Sequence, residues 1–494
     1  MLCSKMKLVE KYSEAIVAGN AAIFAGAGLS IGAGYVDWVN LLSEPAKEIQ
    51  LDSTKEKHDL ITLAQFYINE SGNNRGPLNE IINSNFGLQT EPTENHKILA
   101  NLPISTYWST NYDCLMEKAL EANGKICDVK HDDKQLKISQ PNRDVVVYKM
   151  HGDVRQIDST VISRDDYQAY ERERSLTREV LEGDLITKTF LFIGFSFEDP
   201  NINHVLGRLR ILLSGNTRSH YCFLIKVNIE DCVSQDDYVY KTRRQELQIH
   251  DLGRYGIHVC LIDQYDEITE ILMMIYNRYR RRTIFISGSA ETYDPFSDTN
   301  AQYFLHDLTS RLIKRKHNYR IISGYGHGIG ECILNAVIKE CSSGLQRKIA
   351  DCITLLPVPY KKRKTDTKDI TLVKEYRKEL VKSSGLSLFL FGNKAEDDRI
   401  VLADGMKEEY ELAYRYGSIQ LPILCTGYMA EELYHCAKKS NEIIGQEPNY
   451  LRALDYCGFN LDGNYNQNQI GKMITSILNA IDLMNSFDDS TEDC

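Results

Sequence analysis

Residues 21–38 read AAIFAGAGLSIGAGYVDW. The run Ala21–Ala25 is apolar throughout and gives way at once to Gly26-Ala27-Gly28. An uninterrupted apolar run of this length ending in glycines is the pattern of a buried strand leaving a parallel sheet at its carboxyl end. At such an exit, backbone N–H groups approach a ligand closely enough to hold a pyrophosphate. The same glycines serve equally for tight helix–strand packing, so the stretch predicts an α/β fold and leaves the use of its turn open.

Further short apolar runs follow at Thr106–Ser109, Val145–Met150, Thr189–Phe195, His220–Lys226 and His258–Ile262. Most are separated by helical periodicity, which predicts a parallel sheet covered on both faces. Ile268–Tyr279 has apolar residues at helical spacing and runs into Arg278, Arg280, Arg281 and Arg282. Thr283–Gly288 (TIFISG) then reads as the first strand of a second unit. Later strands are expected at 319–324, 351–358, 386–392 and 420–426, each followed by a helical segment, which makes the second unit doubly wound. The expected division is two domains, 1–281 and 282–494.

The 494 residues are 43% hydrophobic and 26% charged with only 11 Pro, which excludes disordered and collagen-like chains. The 58 basic residues are outnumbered by 69 acidic ones, a net charge of −11 that argues against nucleic acid or an anionic membrane as the main partner. The one strongly basic stretch is 311–400; within it Lys361–Lys364 is read as a solvated loop and the remainder as suited to a small phosphate-bearing ligand. The 13 cysteines are scattered with no CxxC pair, so they are expected to be reduced thiols in a cytoplasmic protein. Ala15–Val36 is free of charge, but its five glycines, Asn20 and Ser30 make a poor membrane span, and Glu10 and Glu14 do not suit a signal peptide.

Four polar motifs share the first domain. They are Gly26-Ala27-Gly28-Leu29-Ser30 with Gly34-Tyr35-Val36-Asp37-Trp38, then Ser109-Thr110-Asn111-Tyr112-Asp113, Met150-His151-Gly152-Asp153 and Gly194-Phe195-Ser196. Most follow a predicted strand end, where open α/β sheets bind ligands. In order and content they resemble the sirtuin family, with its GAGxSxxxGxPDF, TQNxD, strand-end HG and GTS-like motifs. The resemblance implies a Rossmann-type domain that binds NAD. Ala25, Gly26, Ala27, Gly28 and Ser30 would line the phosphates and ribose, with Gly194 and Ser196 beside them. Asp37 and Trp38 would face the nicotinamide, and Asn111 and Asp113 the nicotinamide and ribose; Asn111 and the histidine, His151, would be catalytic. The chemistry agrees, because an imidazole can accept a proton from a ribose hydroxyl or an attacking water, and Asn111 can orient either without adding charge.

Residues 151–190 contain no cysteine, so the sirtuin zinc ribbon is missing and no metal is expected. Val39 and Thr110 also replace the family's arginine and glutamine. These departures disfavour acyl-lysine chemistry and make water the natural acceptor, giving NAD+ hydrolysis to ADP-ribose and nicotinamide. An NAD-dependent protein deacylase and a catalytically silent NAD or ADP-ribose binding module are the alternative readings.

The second domain opens with Phe285-Ile286-Ser287-Gly288-Ser289-Ala290 and continues with Ser323-Gly324-Tyr325-Gly326-His327-Gly328-Ile329-Gly330, leading into a helix. It resembles the SLOG family of nucleotide-ligand binders, without the PGGxGTxxE string of its enzymatic branch, which favours a sensor. Gly288, Ser289, Gly324, Gly326 and Gly328 would contact the ligand, Arg377 and Lys394 would clamp phosphate, and Glu409 would accept from ribose hydroxyls. SLFLFGNK (387–394) is read as one strand ending in that lysine. A sirtuin-like domain without a zinc ribbon fused to a SLOG domain is similar to the effector family of bacterial Thoeris antiphage systems. Stretches such as ENHKILA (94–100), YKMHGDV (148–154), TFLFIGFSFEDPN (189–201) and EITEIL (267–272) extend the resemblance along the chain. It implies activation by a cyclic ADP-ribose isomer made by a partner TIR-domain protein, a homotetramer or higher assembly, and depletion of cellular NAD.

Overall fold

In the computed structural model Ala21–Ala25 is the central strand β1 of a seven-stranded sheet. The structure describes residues 1–88, 90–357, 367–444, 448–459 and 465–485. Lys361–Lys364 lies outside the described residues, as does the last residue of the strand expected at 351–358. The chain divides into two compact units, Met1–Tyr276 and Asn277–Cys494, with the division inside the helix Asp266–Arg280.

The first unit continues with β2 (Thr106–Ser109), β3 (Cys127–Lys130), β4 (Val145–Lys149), β5 (Thr189–Ile193), β6 (His220–Ile225) and β7 (Ile257–Ile262). The spatial order is β3-β4-β2-β1-β5-β6-β7, and every pairing is parallel. Chain progression reverses between β1 and β5, which makes this the switch point where such sheets open a crevice. Ala25 pairs with Ser109 and Ile193, and Ser109 with Lys149, so β4, β2, β1 and β5 end at one level. All four polar motifs leave from that edge. β1 and β5 are buried along their whole length, and Phe24, Phe190 and Phe192 join one core cluster under the edge. Each such side chain contributes roughly 1.5–3 kcal/mol by leaving water.

The expected strands at Val145–Met150 and Thr189–Phe195 are shorter at the carboxyl end because the motif residues turn out of the sheet, and the one at His220–Lys226 is shorter by its last residue. Strand β3 was not anticipated, since CDVK alternates polar and apolar residues and does not form an apolar run. The uncharged stretch Ala15–Val36 comprises a helix end, β1 and two short turns, and among the described residues no helix is long and apolar enough to cross a membrane.

Between β4 and β5 lie the turn Val154–Ser159 and the helices Arg164–Glu173 and Ser175–Thr187. Arg75 fastens this segment to the helix Gly76–Phe86. Its guanidinium donates to both Asp166 oxygens at 2.7 and 2.6 Å and to the Thr160 carbonyl at 2.6 Å. Arg75 and burial act oppositely on Asp166; burial raises its pKa, but the Arg75 charge and two backbone N–H groups outweigh it.

The second unit contains β8 (Thr283–Ser289), β9 (Arg320–Ser323), β10 (Ile353–Leu355), β11 (Leu386–Phe391) and β14 (Ile419–Pro422), ordered β10-β9-β8-β11-β14 and all parallel. Here the switch point falls between β8 and β11. A hairpin, β12 (Asn393–Glu396) and β13 (Arg399–Leu402), follows β11. It corrects the reading of 387–394 as one strand. Phe391 and Gly392 have φ of 56° and 97°, which breaks the extended chain and puts Lys394 on the hairpin. The run 420–426 likewise divides into β14 and a short turn at Leu424–Thr426.

Candidate functional site

The turn after β1 is built on backbone-to-backbone contact. A Cβ added at Gly26 would lie 2.3 Å from the Gly194 carbonyl oxygen, and one at Gly194, where φ is 64°, would lie 2.3 Å from the Leu29 nitrogen. No side chain fits at either position. The Gly26 N–H donates to Ile193 O at 2.9 Å and the Gly28 N–H to Gly194 O at 3.0 Å, while those of Leu29 and Ser30 donate to Gly26 O and Ala27 O. This qualifies the expectation that the glycine amides cradle a pyrophosphate. The amides of Gly26 and Gly28 are already committed, and the glycines bring the β1 and β5 exits together.

Asn111 lies just past β2. Its Nδ2 donates to Gly26 O at 3.0 Å and to Ser30 Oγ at 3.1 Å. A carbonyl only accepts, so the amide nitrogen must face Gly26 and Oδ1 must face away. Oδ1 is buried with no hydrogen-bond partner among the described residues. Asp113, 5% exposed, accepts from Leu115 N through Oδ1 at 2.9 Å, and its Oδ2 is likewise buried and unpartnered. These two acceptors give the site hydrogen-bonding capacity that a ligand, an ion or ordered water can fill.

His151 leaves β4 and is 2% exposed. Its ring centre is 6.3 Å from that of Trp38 and 5.7 Å from that of Tyr167. Nδ1 is buried and unpartnered, whereas Nε2 lies 3.3 Å from Asp199 Oδ2, an ion-pair distance without hydrogen-bond alignment. Trp38 therefore joins His151, while Asp37 is used locally, accepting from Asn40 N at 2.8 Å to cap the helix Trp38–Leu41. Ser196 is exposed and accepts from Glu198 N.

Two charged groups escaped the sequence reading. Lys149, the last residue of β4, is 1% exposed. Its ammonium donates to the carbonyls of Tyr112 and Asp113 and lies 2.9 Å from Asp153 and 3.4 Å from Glu117. Burial acts to lower its pKa, but the two carboxylates outweigh it and hold the ammonium above the usual lysine range. Burial pushes Asp153 up, yet Arg155 and Lys149 hold it well below the carboxylate range, while Glu117 is pushed up by burial against the pull of Lys149. Cys114, Glu117 and Asp153 have the donor set of a small metal site, but Lys149 already supplies the cation there. Asp199 is the second. Its signal was an Asp-Pro pair one residue past the GFSF turn, which reads as a helix cap and is one.

In the second unit the exits of β8 and β9 are equally tight. A Cβ at Gly326 would lie 1.9 Å from the Gly288 carbonyl oxygen. Ser289 Oγ donates to Asn393 O at 2.9 Å, and buried Asn393, which sequence reasoning missed, accepts from the amides of Glu291 and Thr292. Arg377 on the helix Thr367–Lys382 pairs with Glu408 and approaches Glu409 at 3.5 Å. Glu409 also accepts from Ser287 Oγ at 2.6 Å; burial pushes its carboxyl up, with Ser287 and Arg377 opposing. Lys394 pairs with Asp404 at 2.5 Å and Glu396 at 3.6 Å. Arg377 and Glu409 thus meet beside β8, and both expected cationic clamps carry internal carboxylate partners. Gly324 and Gly328 are partly buried in the loop between β9 and the helix Gly330–Ser342.

The fold and these two strand-end sites define a SIR2-like domain followed by a SLOG domain. A family model described as SIR2-like domain matches residues 105–246, and one described as Sir2- and TIR-associating SLOG family matches 267–481. The chain is 48% identical to the NAD(+) hydrolase ThsA of Enterococcus faecium over 85% of its own length and 87% of that protein. It is 39% identical to that of Bacillus cereus (strain MSX-D12) over 97% and 98%, and 42% identical to that of Acinetobacter baumannii (strain 532279) over 90% and 91%. The chain belongs to the ThsA family.

Proposed function

We propose that residues 1–281 hydrolyse NAD+ to ADP-ribose and nicotinamide, and that a cyclic ADP-ribose isomer bound by residues 282–494 switches the reaction on. The observation that carries the first half is the pair of unfilled buried acceptors, Asn111 Oδ1 and His151 Nδ1, on the exits of neighbouring strands. NAD+ lies with its phosphates and ribose along Ala25, Gly26, Ala27, Gly28 and Ser30, and with Gly194 and Ser196 across the crevice. Its nicotinamide end is toward Asp37, Trp38, Asn111 and Asp113. The bond from C1′ to the nicotinamide nitrogen breaks with its electron pair leaving on nicotinamide. Asn111 holds a water or ribose hydroxyl, a water oxygen bonds to C1′, and its proton passes to His151. The relatives' printed name, NAD(+) hydrolase, supports the same reaction.

The signal, made by a partner TIR-domain protein, contacts Gly288, Ser289, Gly324, Gly326, Gly328, Arg377, Lys394 and Glu409. It activates by binding the active arrangement of a homotetramer more tightly than the resting one. The protein works in the cytoplasm and needs no metal. Purified protein incubated with NAD+ is expected to release nicotinamide on addition of a cyclic ADP-ribose isomer; no release with any isomer refutes the reading.

A further inference from the structure

The two nitrogens of His151 differ in their surroundings: Nε2 faces a carboxylate and Nδ1 faces none. That carboxylate is built in. Asp199 has a side chain 9% exposed, its Oδ1 accepts from Ile202 N at 3.0 Å, and its Oδ2 accepts from the Tyr167 hydroxyl at 2.7 Å. Burial alone would favour the neutral acid, but His151, the Ile202 N–H and Tyr167 together hold the carboxyl below its usual range. The ring contacts come from three elements: Asp199 at the start of the helix Pro200–Leu212, Tyr167 on the helix Arg164–Glu173, and Trp38 on its own short helix. Only Asp199 and Tyr167 of these titrate.

We propose that Asp199 is a positioning residue for NAD+ cleavage: it holds His151 with Nε2 inward and Nδ1 toward the reacting ribose, and stabilises the imidazolium that forms there. This rests on the reading of residues 1–281 as an NAD+ hydrolase. When Nδ1 takes a proton from the attacking water, a positive charge appears in a site where only 2% of the histidine is exposed. A fixed carboxylate at 3.3 Å offsets the desolvation of that charge. The proton returns to solvent after ADP-ribose and nicotinamide depart, and the carboxylate itself stays ionised.

The test is Asp199→Asn in the full chain, since an asparagine oxygen can still accept from Ile202 N and keep the helix cap. We expect kcat for nicotinamide release to fall ~100-fold or more, with KM for NAD+ changing less than about threefold. The acid limb of the kcat profile should move to lower pH, because the protonated ring loses its counter-charge. Tyr167→Phe removes the donor to Asp199 Oδ2 while keeping the ring contact, so that oxygen becomes a stronger partner for the imidazolium; it should give a smaller loss and an acid limb moved to higher pH, opposite to Asp199→Asn. Undiminished kcat in Asp199→Asn beside active wild type overturns the proposal alone, and so does a loss with an unshifted profile in both variants. Wild type that releases no nicotinamide overturns the parent reading and this one with it. Should Asp199→Asn fail to fold, the profile of Tyr167→Phe decides: a limb moved to higher pH supports the role, and one that is unmoved or moved to lower pH overturns it.

Discussion

Asn111 is an amide committed on one side and open on the other. Its nitrogen is tied to Gly26 and Ser30, so its oxygen is aimed without any entropy left to lose. Asn111→Ala and His151→Ala are each expected to lower nicotinamide release at least ~100-fold. The thermal midpoint should fall only slightly for Asn111→Ala, which removes two hydrogen bonds worth about 1 kcal/mol each; an enzyme assay beside a melting curve separates the two effects. Lys149→Met behaves oppositely. It leaves Glu117 and Asp153 buried with Arg155 as the remaining cation, so urea unfolding should show a loss of about 3–5 kcal/mol. Asn111, Asp113 and His151 were legible because polar residues at the ends of apolar strands stand out. Lys149 was not, because a lysine closing the strand VVVYK reads as a solvated end, and its partners come from the Asn111 loop, the helix beyond it and Asp153 four residues on.

At the scale of elements, apolar runs disclosed the buried strands and the glycine exits disclosed the strand ends where each domain gathers its candidate residues. Edge strand β3 and the hairpin β12–β13 were illegible, because neither has the apolar continuity of a strand covered on both faces. The hairpin matters, since it and the neighbouring helix Asp404–Arg415 surround Arg377 and Lys394 with carboxylates. On the proposed reading, a phosphate at Arg377 competes with Glu408 for the guanidinium. Glu408→Gln is therefore expected to lower the half-activating concentration of a cyclic ADP-ribose isomer by about two- to fivefold, the span of an exposed pair worth up to ~1 kcal/mol. Arg377→Ala should abolish the response. Both are read from nicotinamide release against signal concentration.

Across the molecule, alternation of strands and helices made two parallel sheets legible, but not the order of strands within them, which depends on which crossovers turn left or right of β1. One global property follows from two histidines in the first unit. Burial pushes His220 down to about 3 and His96 to about 4, so each is neutral when folded and gains a proton on unfolding below pH ~6.5. The unfolded chain binds more protons there, and each histidine costs up to ~1.4 kcal/mol per pH unit, from about 6.5 down to its folded value. The thermal midpoint should drop between pH 7.5 and 5. His220→Asn, whose oxygen can replace Nδ1 as acceptor for Phe190 N–H, should flatten that drop.

The ammonium of Lys149 ties the Asn111–Asp113 loop to the strand that delivers His151. The loop 111–113 and the exit of β4 should therefore open as one unit, their backbone amides exchanging with solvent at a common rate.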